Sequence, residues 1–557
     1  MRSLPDALED AAARATGSAF FHHEDGVVTV STSELVVRAK RRASHLVAVG
    51  LIPGDTVGLL GRTSVAWVEW AVAVWFAGGT LVPLQFPIRI RAPAAFREAI
   101  ASRAGAARCR LVVCEPEFAE FVPAELLVSW HETGGSPADV PRIDPERPAV
   151  IQFTSGSTGS PKGVVISHRA VLANIDGMNA AYKPVPGDDA VLSWVPLFHD
   201  LGVFKHLTWP LVAGFDCHHL PTELFATDPA RWLRLFGETG CTMTTAPASA
   251  WAAAVRAARR HRTRVDLTSV RSAIVSAETI DADVVDDLIT FGALAGLDPR
   301  AIGGAYGLAE FTLGATTTMP LGGLNIERLD PVELAGGKAV VTDAEPSKRV
   351  ASCGSVYQGT EIRIVSDEGG DLPDRRVGEV RLRGNSMMSG YLDGGTEEAV
   401  VDGYLRTGDL GYLSRGELYV TGRIKDVVIL LGQNYYPEDF EWAASRVAGV
   451  RAGRCAAFSP AADADRIVIV VEPSEDADPG DVAVAVSNAI RDAVAILPVG
   501  VVVAAPGTVL KTTSGKLRRG AMRDAYERGE IAALATAGSS VQGARAGRRI
   551  TTGGTED

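Results

Sequence analysis

The stretch Thr154-Ser155-Gly156-Ser157-Thr158-Gly159-Ser160-Pro161-Lys162-Gly163 is dense in glycine and hydroxyl residues. The apolar residues 149–153 before it and 164–166 after it each predict a buried strand, and Ser167 predicts the N-cap of a following helix. Glycines let backbone N–H groups turn toward one centre, where hydroxyls and an ammonium group can join them. The stretch therefore predicts a hairpin loop that holds phosphate oxygens.

A glycine-rich loop with a lysine has two other interpretations. A Walker P-loop needs glycine, four residues, and then Gly-Lys-Ser/Thr. Here Gly156 is followed five places later by Pro161, and Lys162 is followed by Gly163, so the spacing excludes that motif. An ordinary Gly/Ser hairpin remains as the alternative to a nucleotide-binding loop.

Length and composition limit the class of protein. A chain of 557 residues is too long for one core, which predicts at least two domains. A formal net charge of −12 argues against a nucleic-acid partner, and six cysteines without a C-x-x-C pair fit a reducing cytoplasm. Acidic residues follow Arg2 closely, which is unlike a signal peptide, and residues 65–86 predict a core helix and strand, too short to span a membrane. We expect a cytoplasmic enzyme.

The order of predicted elements indicates a multi-domain α/β protein. Strands alternating with helices before and after the loop predict parallel α/β sheets in a large N-terminal domain, residues 1–422. From about residue 325, short strands with glycine turns predict a β-barrel-like subdomain within it. Residues 423–530 predict a small, mobile α+β C-terminal domain, and residues 531–557 a disordered tail.

Several predicted strands end in residues that suit a nucleotide and an acid, because strand ends are where α/β folds bind ligands. His199, followed by Asp200, is a candidate catalytic base, or else lines the substrate pocket. Ala277 and Glu278 end another strand in a run of small residues that leaves room for adenine.

Three further segments carry candidate ligands. Tyr306 can stack on a base, Gly307 lets the backbone approach it, and a Glu310 carboxylate can bind magnesium. Asp409, on a tight turn, can accept both hydrogen bonds of a ribose diol. Lys516, on a hydroxyl-rich loop, can bring a positive charge to an anionic transition state, although the loop taken alone is better explained as a solvated basic patch.

These motifs follow one another in one order from Thr154 to Arg519: the loop, the His-Asp turn, Tyr306-Gly307-x-x-Glu310, Thr407-Gly408-Asp409, Gly422-Arg423-x-Lys425-Asp426 and Ser514-Gly515-Lys516. Together they resemble the adenylate-forming superfamily of acyl-CoA synthetases, acyl-AMP ligases, luciferases and nonribosomal adenylation domains. Residues 193–202, 352–354 and 422–441 look like the fatty acyl-AMP ligase branch. Residues 325–350 match the insertion that impedes use of coenzyme A in that branch.

The resemblance implies ATP and Mg²⁺ as cofactors and assigns roles to individual residues. The small domain would rotate about a hinge at Lys425. Lys516 would bridge the attacking carboxylate and the α-phosphate, and Thr158 and Glu310 would bind Mg²⁺. The nucleotide would be bound by Thr154, Ser155, Gly156, Ser157, Thr158, Gly159, Lys162, Tyr306, Gly307, Asp409 and Arg423.

The resemblance implies a ligase that activates a carboxylic acid, expected to be a fatty acid, to an acyl-adenylate. No part of the sequence resembles a carrier domain, so the acyl group would pass to a separate acyl carrier protein. Three alternatives stay open: a coenzyme A ligase, an enzyme of secondary metabolism that activates an aryl or polar acid or nitrite, as in ATP-dependent diazotisation, and a binding-only relative.

Two positions depart from the branch. Lys205 and His206 stand where small or apolar residues are usual near the mouth of the acyl tunnel. We expect both side chains to face solvent; if either faced the pocket, a polar or anionic substrate would be favoured. Ser276 stands where glycine is common, next to the nucleotide side of the site.

Overall fold

The computed structural model describes residues 2–87, 90, 92–132, 135–136, 141–154, 162–430, 433–460, 466–494, 499–511, 517–538 and 545–546. Its α-helices are α1 (Leu4–Arg14), α2 (Thr32–Ala48), α3 (Val65–Phe76), α4 (Pro93–Ala106), α5 (His168–Tyr182), α6 (Trp209–Ala213), α7 (Thr222–Thr227), α8 (Pro229–Thr239), α9 (Ala248–Arg260), α10 (Ala282–Leu294), α11 (Pro331–Ala335), α12 (Thr396–Ala399), α13 (Pro437–Ser445), α14 (Pro479–Val494) and α15 (Arg519–Glu527).

Its strands are β1 (Ser18–His22), β2 (Val27–Ser31), β3 (Thr56–Leu60), β4 (Thr80–Pro83), β5 (Cys109–Cys114), β6 (Leu127–Ser129), β7 (Pro148–Phe153), β8 (Gly163–Ser167), β9 (Ala190–Ser193), β10 (Asp216–His219), β11 (Met243–Ala246), β12 (Ser272–Val275), β13 (Ile302–Gly307), β14 (Gly314–Thr317), β15 (Ile326–Leu329), β16 (Lys348–Val356), β17 (Thr360–Val365), β18 (Gly378–Gly384), β19 (Gly390–Tyr391), β20 (Val400–Val401), β21 (Tyr404–Ser414), β22 (Glu417–Arg423), β23 (Val428–Leu430), β24 (Gln433–Tyr435), β25 (Val450–Phe458), β26 (Ile467–Pro473), β27 (Val499–Ala504), β28 (Ala532–Gly538) and β29 (Arg545–Ala546).

Serine caps fix where several of the helices begin. Ser31, Ser64 and Ser167 each accept a hydrogen bond from a backbone N–H of the first turn, at the starts of α2, α3 and α5. Such a cap satisfies a donor that would otherwise have no partner in the helix. The predicted cap at Ser167 is confirmed.

Two sheets make up the large N-terminal part. The larger has the strand order β17-β18-β21-β22-β16-β14-β13-β12-β11-β9-β10-β1-β2, and the second has the order β19-β8-β7-β4-β3-β5-β6. Strands β9 to β13 pair in parallel, as do β3, β4, β5 and β7, which confirms the predicted parallel α/β sheets. Helix α3 is buried on nearly every side, including Trp67, Trp70 and Trp75.

The prediction of a barrel-like subdomain is wrong, as the strand pairing shows. Strand β14 pairs antiparallel with β13 on one side and with β16 on the other, so the antiparallel strands continue the larger sheet. The sheet ends at β17, and no closed barrel forms in the described part of the chain. Glycine turns and short strands are common to barrels and open antiparallel sheets, which is why the sequence pattern did not distinguish them.

After Arg423 the chain enters a separate sheet, β25-β26-β27-β28-β29, covered by α13 and α14. Strand β28 pairs antiparallel with β27, so the prediction of a disordered tail from residue 531 is wrong for Ala532–Gly538. Alanine dominates that strand, and pairing with the valine-rich β27 compensates for its weak hydrophobicity. The predicted domain boundary at 422/423 stays a prediction.

Polar contacts join this C-terminal part to the larger sheet. The Trp442 indole and the Arg446 guanidinium both bond to Oδ2 of Asp283 in α10, at 2.9 and 2.6 Å. Lys348 of β16 forms a 2.7 Å ion pair with Asp439 of α13.

The six cysteines are buried and unbridged, as expected for core residues. Within the described residues, no helix is both long and apolar enough to cross a membrane.

Candidate active site

Only the two ends of the predicted phosphate loop fall within the described residues. The Thr154 N–H donates to the Lys162 carbonyl at 3.0 Å, which closes the hairpin between β7 and β8. The central loop residues Ser155, Gly156, Ser157, Thr158 and Gly159, and also Lys516, lie outside the described residues, so their assigned roles stay predictions.

Tyr391 connects the lysine of this loop with the predicted magnesium ligand. Its ring lies 4.7 Å, centroid to Nζ, from the ammonium of Lys162, and its hydroxyl donates to Oε1 of Glu310 at 2.9 Å. Burial, with the Glu310 charge next in size, raises the pKa of Tyr391, so this hydroxyl stays a donor at neutral pH. Strand β19, which carries Tyr391, pairs with β8 directly after the loop.

Tyr306, Asp409 and Arg423 form a second connected group. The Tyr306 hydroxyl donates to Oδ2 of Asp409 at 2.6 Å, and Nε of Arg423 donates to Oδ1 of the same carboxylate at 2.8 Å. The Asp409 charge raises the pKa of Arg423, while burial, then Asp409, raises that of Tyr306. The Asp409 side chain is 6% exposed and that of Arg423 is 51% exposed, so the pair opens toward solvent on the arginine side.

Gly307 is required by the backbone around it. A Cβ at this position would collide with the Leu313 carbonyl and with Gly314 of β14. The close approach follows from the irregular β13–β14 pairing at Tyr306/Gly307. The predicted reason, approach to a nucleotide, remains compatible with this geometry.

The end of β12 has an unusual backbone. Ala277 adopts φ = 69°, in the left-handed region that a Cβ disfavours. The Ser276 hydroxyl donates to the Ala305 carbonyl at 2.9 Å, so the residue that replaces the usual glycine joins β12 to β13. Glu278 accepts a 2.5 Å hydrogen bond from the Ser249 N–H in the first turn of α9.

His199 lies at the start of a π-helical segment, Leu201–Thr208, with its Nδ1 2.5 Å from Oδ1 of Asp200. The side chains of His199 and Asp200 are 17% and 19% exposed. The Gln152 amide donates to the Phe198 carbonyl at 3.1 Å and so fixes this turn against the strand that precedes the phosphate loop. Catalytic base and pocket-lining roles both stay predictions for His199.

The expectation that Lys205 and His206 face solvent is wrong. Lys205 is 5% exposed and His206 is 0% exposed. Both side chains lie inside the large N-terminal part because the π-helical segment packs against α5 and the larger sheet. Residue-by-residue polarity could not reveal this, since lysine is rarely buried without a carboxylate.

Arg519 forms ion pairs with three acidic residues at the beginning of the C-terminal part of the chain. Its guanidinium pairs with Asp426, Glu438 and Glu441 at 3.4, 2.8 and 2.7 Å. Lys425, the predicted hinge, lies beside Asp426, and burial, then the Arg423 charge, lowers its pKa. Arg519 therefore fixes the chain that follows the Lys516 loop to the segment next to the hinge.

Sequence reasoning missed two tyrosines: Tyr391, whose hydroxyl donates to Glu310, and Tyr182, whose hydroxyl accepts a hydrogen bond from Lys205 at 2.5 Å. Tyr391 lies in a glycine-rich, β-rich stretch, and its only sequence signal is an aromatic residue next to Gly390. Tyr182 ends α5 as an ordinary apolar-face residue. Their partners, Glu310 and Lys205, are distant in the sequence, so only the fold brings them together.

The large part with its parallel α/β sheets and the smaller C-terminal sheet have the fold of an adenylate-forming ligase. The chain belongs to the family of AMP-binding enzymes, whose model matches residues 8–392.

Relatives and solved structures agree with this class. A protein of Mycobacterium tuberculosis provisionally named ligase Rv1013 is 35% identical over 503 residues, covering 87% of this chain and 92% of that protein. The long-chain-fatty-acid–AMP ligase FadD32 of Mycolicibacterium smegmatis is 32% identical and covers 70% of this chain and 71% of its own length. A structure from a study of fatty acyl-adenylate ligases from E. coli and L. pneumophila has a TM-score of 0.89 at 28% identity, covering 95% of this chain and 98% of that one.

The residues present fit an ATP-bound magnesium ion. Mg²⁺ needs only one or two protein carboxylates when phosphates and water supply its other ligands. Glu310, with Oε1 held by Tyr391, offers one such carboxylate at the loop. Among the described residues, no group of three or more His, Cys, Asp and Glu could hold a metal by itself.

Proposed function

We propose that the protein uses ATP and Mg²⁺ to convert a carboxylic acid into an acyl-adenylate, releasing pyrophosphate, and then passes the acyl group to the thiol of a separate acyl carrier protein. The observation that carries the proposal is the connection Lys162–Tyr391–Glu310, which joins the loop lysine to the candidate magnesium carboxylate. FadD32, a relative named as a fatty-acid–AMP ligase, supports a fatty acid as the substrate.

The first step joins two anions. A carboxylate oxygen of the acid attacks the α-phosphorus of ATP, and the bond from that phosphorus to the oxygen that leaves with pyrophosphate breaks. Mg²⁺, when bound, neutralises charge on the phosphates. Lys162 and the loop N–H groups would bind the pyrophosphate oxygens, and Lys516 would offset the charge that develops on the α-phosphoryl group.

The nucleotide would lie against the Tyr306–Asp409–Arg423 group. Tyr306 and Arg423 each bind one oxygen of Asp409, so this carboxylate is oriented before a ribose arrives. A preorganised acceptor reduces the entropy lost when the ribose diol binds. Arg423, half-exposed, would reach the ribose or a phosphate.

Transfer to a carrier protein, in preference to coenzyme A, is supported by the position of residues 325–350, which would correspond to the branch-specific insertion. Its β15 and α11 pack through Leu329 and Leu334 against Tyr412 and Tyr419 of the large part. At its end, Lys348 pairs with Asp439 of α13. The segment thus contacts both parts between which a rotation would occur.

The test is pyrophosphate release from ATP across a panel of fatty, aryl and amino acids plus nitrite, with coenzyme A and a pantetheinylated carrier protein added in turn. With the correct acid and coenzyme A, we expect the reaction to stop at the acyl-adenylate. With the same acid and the carrier protein, we expect it to proceed to the acylated carrier. Completion with coenzyme A would instead make the protein a coenzyme A ligase, and release with nitrite alone would identify a diazotising enzyme. The Glu310→Gln variant serves as the inactive control.

A further inference from the structure

The π-helical segment Leu201–Thr208 brings two basic side chains into the interior. It begins directly after His199 and Asp200, and it lies between α5 and one face of the larger sheet. Lys205 and His206 project from it in different directions, Lys205 toward Tyr182 at the end of α5 and His206 toward Ser193 at the end of β9.

Lys205 is buried, and its ammonium contacts the ring of Tyr182, 4.2 Å from Nζ to the ring centroid. Its Nζ donates to the Tyr182 hydroxyl at 2.5 Å, and that hydroxyl lies 2.7 Å from Oγ1 of Thr317 in β14. Among the described residues, no carboxylate lies within 4.0 Å of this ammonium. Removing an ammonium from water costs several kcal/mol, and a cation–π contact returns about 2 kcal/mol of it, so the burial of Lys205 stays unfavourable unless an anion pairs with it.

Beside it, polar atoms without partners meet at the ends of neighbouring strands. His206 bonds to Ser193 through Nδ1 at 2.7 Å, but its Nε2 has no hydrogen-bond partner in the described structure. The same holds for both ring nitrogens of His219 and for Oγ1 of Thr245. His206, His219 and Thr245 are 0%, 1% and 2% exposed, so bulk water does not reach them.

The strand register places these groups on one face of the sheet. Ser193 pairs with His219, and Met243 pairs with Val191, so Ser193, His219 and Thr245 point to the same side.

The same face continues toward the nucleotide side of the sheet. Thr245 pairs with Ile274, Ile274 with Gly303, and Ala305 with Thr317, so Thr317 lies on this face too. We name His219, Ser193, Thr245 and Thr317 the polar row. Its Thr317 end is adjacent to Ala305, the residue before Tyr306.

We propose that the layer between the polar row and the segment Leu201–Thr208 binds the part of the acid substrate farthest from its reacting carboxylate, and that the acid carries an anionic group there, such as a second carboxylate, which pairs with Lys205. This inference rests on the proposed acid-activating function. An anion beside Lys205 supplies a counter-charge that no carboxylate of the described residues provides, and its oxygens, or a water that it orders, supply partners for His206, His219 and Thr245. An unbroken alkyl chain would leave Nε2 of His206, both ring nitrogens of His219 and Oγ1 of Thr245 without partners.

The experiment compares matched acids of equal chain length, C6 to C10, that end in a methyl group or in a second carboxylate. ATP–pyrophosphate exchange is measured for the wild type, for Lys205→Met, and for Lys183→Met at an exposed lysine one residue beyond Tyr182. We expect the wild type to prefer a dicarboxylate and Lys205→Met to lose about 100-fold in kcat/KM for it, since one partner of a buried charge pair is removed. The monocarboxylate rate should not fall, and Lys183→Met should match the wild type.

A wild type that prefers monocarboxylates, together with unchanged selectivity in Lys205→Met, would overturn the inference. An equal loss for every acid in Lys205→Met would assign the lysine a structural role and overturn it too. Absence of exchange with all acids would instead contradict the proposed function. In that case Tm is measured with and without a dicarboxylate. The inference requires that the dicarboxylate raise the Tm of the wild type and leave the Tm of Lys205→Met unchanged.

Discussion

The Tyr391 hydroxyl donates a 2.9 Å hydrogen bond to Oε1 of Glu310 while the Tyr391 ring lies 4.7 Å from Nζ of Lys162. One side chain thus orients the candidate magnesium carboxylate and contacts the lysine of the phosphate loop. The contact depends on β19 pairing with β8, where a Cβ on Gly163 would collide with Leu392.

Removing this hydroxyl should slow adenylation without unfolding the protein. A hydrogen bond to a charged group contributes about 1.5–3 kcal/mol, so Tyr391→Phe should lower the exchange rate about 10- to 100-fold and raise the Mg²⁺ concentration needed for half-maximal rate. The matched control is Tyr404→Phe, which removes another tyrosine–glutamate bond, 2.7 Å to Glu361, from the outer strands. If the two variants behaved alike, Tyr391 would have no positioning role.

Lys516 should be the cation whose loss costs most. Lys516→Ala should reduce ATP–pyrophosphate exchange by a factor on the order of 10²–10³, because charge developing on the α-phosphoryl group would lose a positioned counter-charge. Lys338→Ala, at a half-exposed lysine just after α11, is the control. Exchange at the wild-type rate in Lys516→Ala would refute the assigned role.

The left-handed backbone at Ala277 predicts a stabilising substitution. A Cβ at φ = 69° costs about 1 kcal/mol, and glycine removes that cost, so Ala277→Gly should raise the midpoint of thermal unfolding. Ala305→Gly, at an alanine with ordinary strand geometry, should lower it. A lower midpoint for Ala277→Gly would mean that the methyl group makes contacts that outweigh the strain.

His219 should make the protein sensitive to acid. Burial, and then the neighbouring His218 and His22, lowers its pKa from 6.5 to about 3. The folded protein therefore binds fewer protons than the unfolded chain between these values. The contribution of His219 to the free energy of unfolding is therefore largest above pH 6.5. It falls by about 1.4 kcal/mol per pH unit as the pH decreases from 6.5 toward 3.

The variant His219→Phe keeps a ring that can stack on Phe21 and removes the titration. The midpoint of thermal unfolding of this variant minus that of the wild type should be larger at pH 5 than at pH 7, because only the wild type loses stability through this histidine. His261→Phe, at an exposed histidine after α9, should follow the wild type at both pH values. An equal difference between His219→Phe and the wild type at pH 7 and pH 5 would contradict the assigned titration.

The sequence predicted those features that depend on local chemistry. Strands 149–153 and 164–166 and the Ser167 cap follow from apolar pattern and side-chain hydrogen bonding, both of which act over a few residues. The pairing of Tyr306 with Asp409 joins residues 103 positions apart; the motifs named both residues, but only the fold shows their contact.

Features that depend on long-range packing were missed or misjudged. The burial of Lys205 depends on how the π-helical segment meets α5, and Ala532–Gly538 becomes a strand only because β27 offers an unpaired edge. Neither fact leaves a local pattern. The polar character of Lys205 was visible in the sequence, but its direction was not.

Burying Lys205 with no carboxylate partner among the described residues lowers the stability of the fold, so we expect this lysine to persist only under selection for activity. In a laboratory lineage selected for heat resistance alone, with no demand for catalysis, codon 205 should be among the first to drift toward methionine or leucine. In a parallel lineage that must also turn over its acid, the codon should stay fixed. Substitution of Lys205 in the first lineage alone would show that selection for substrate binding, and not stability, keeps a lysine at this position.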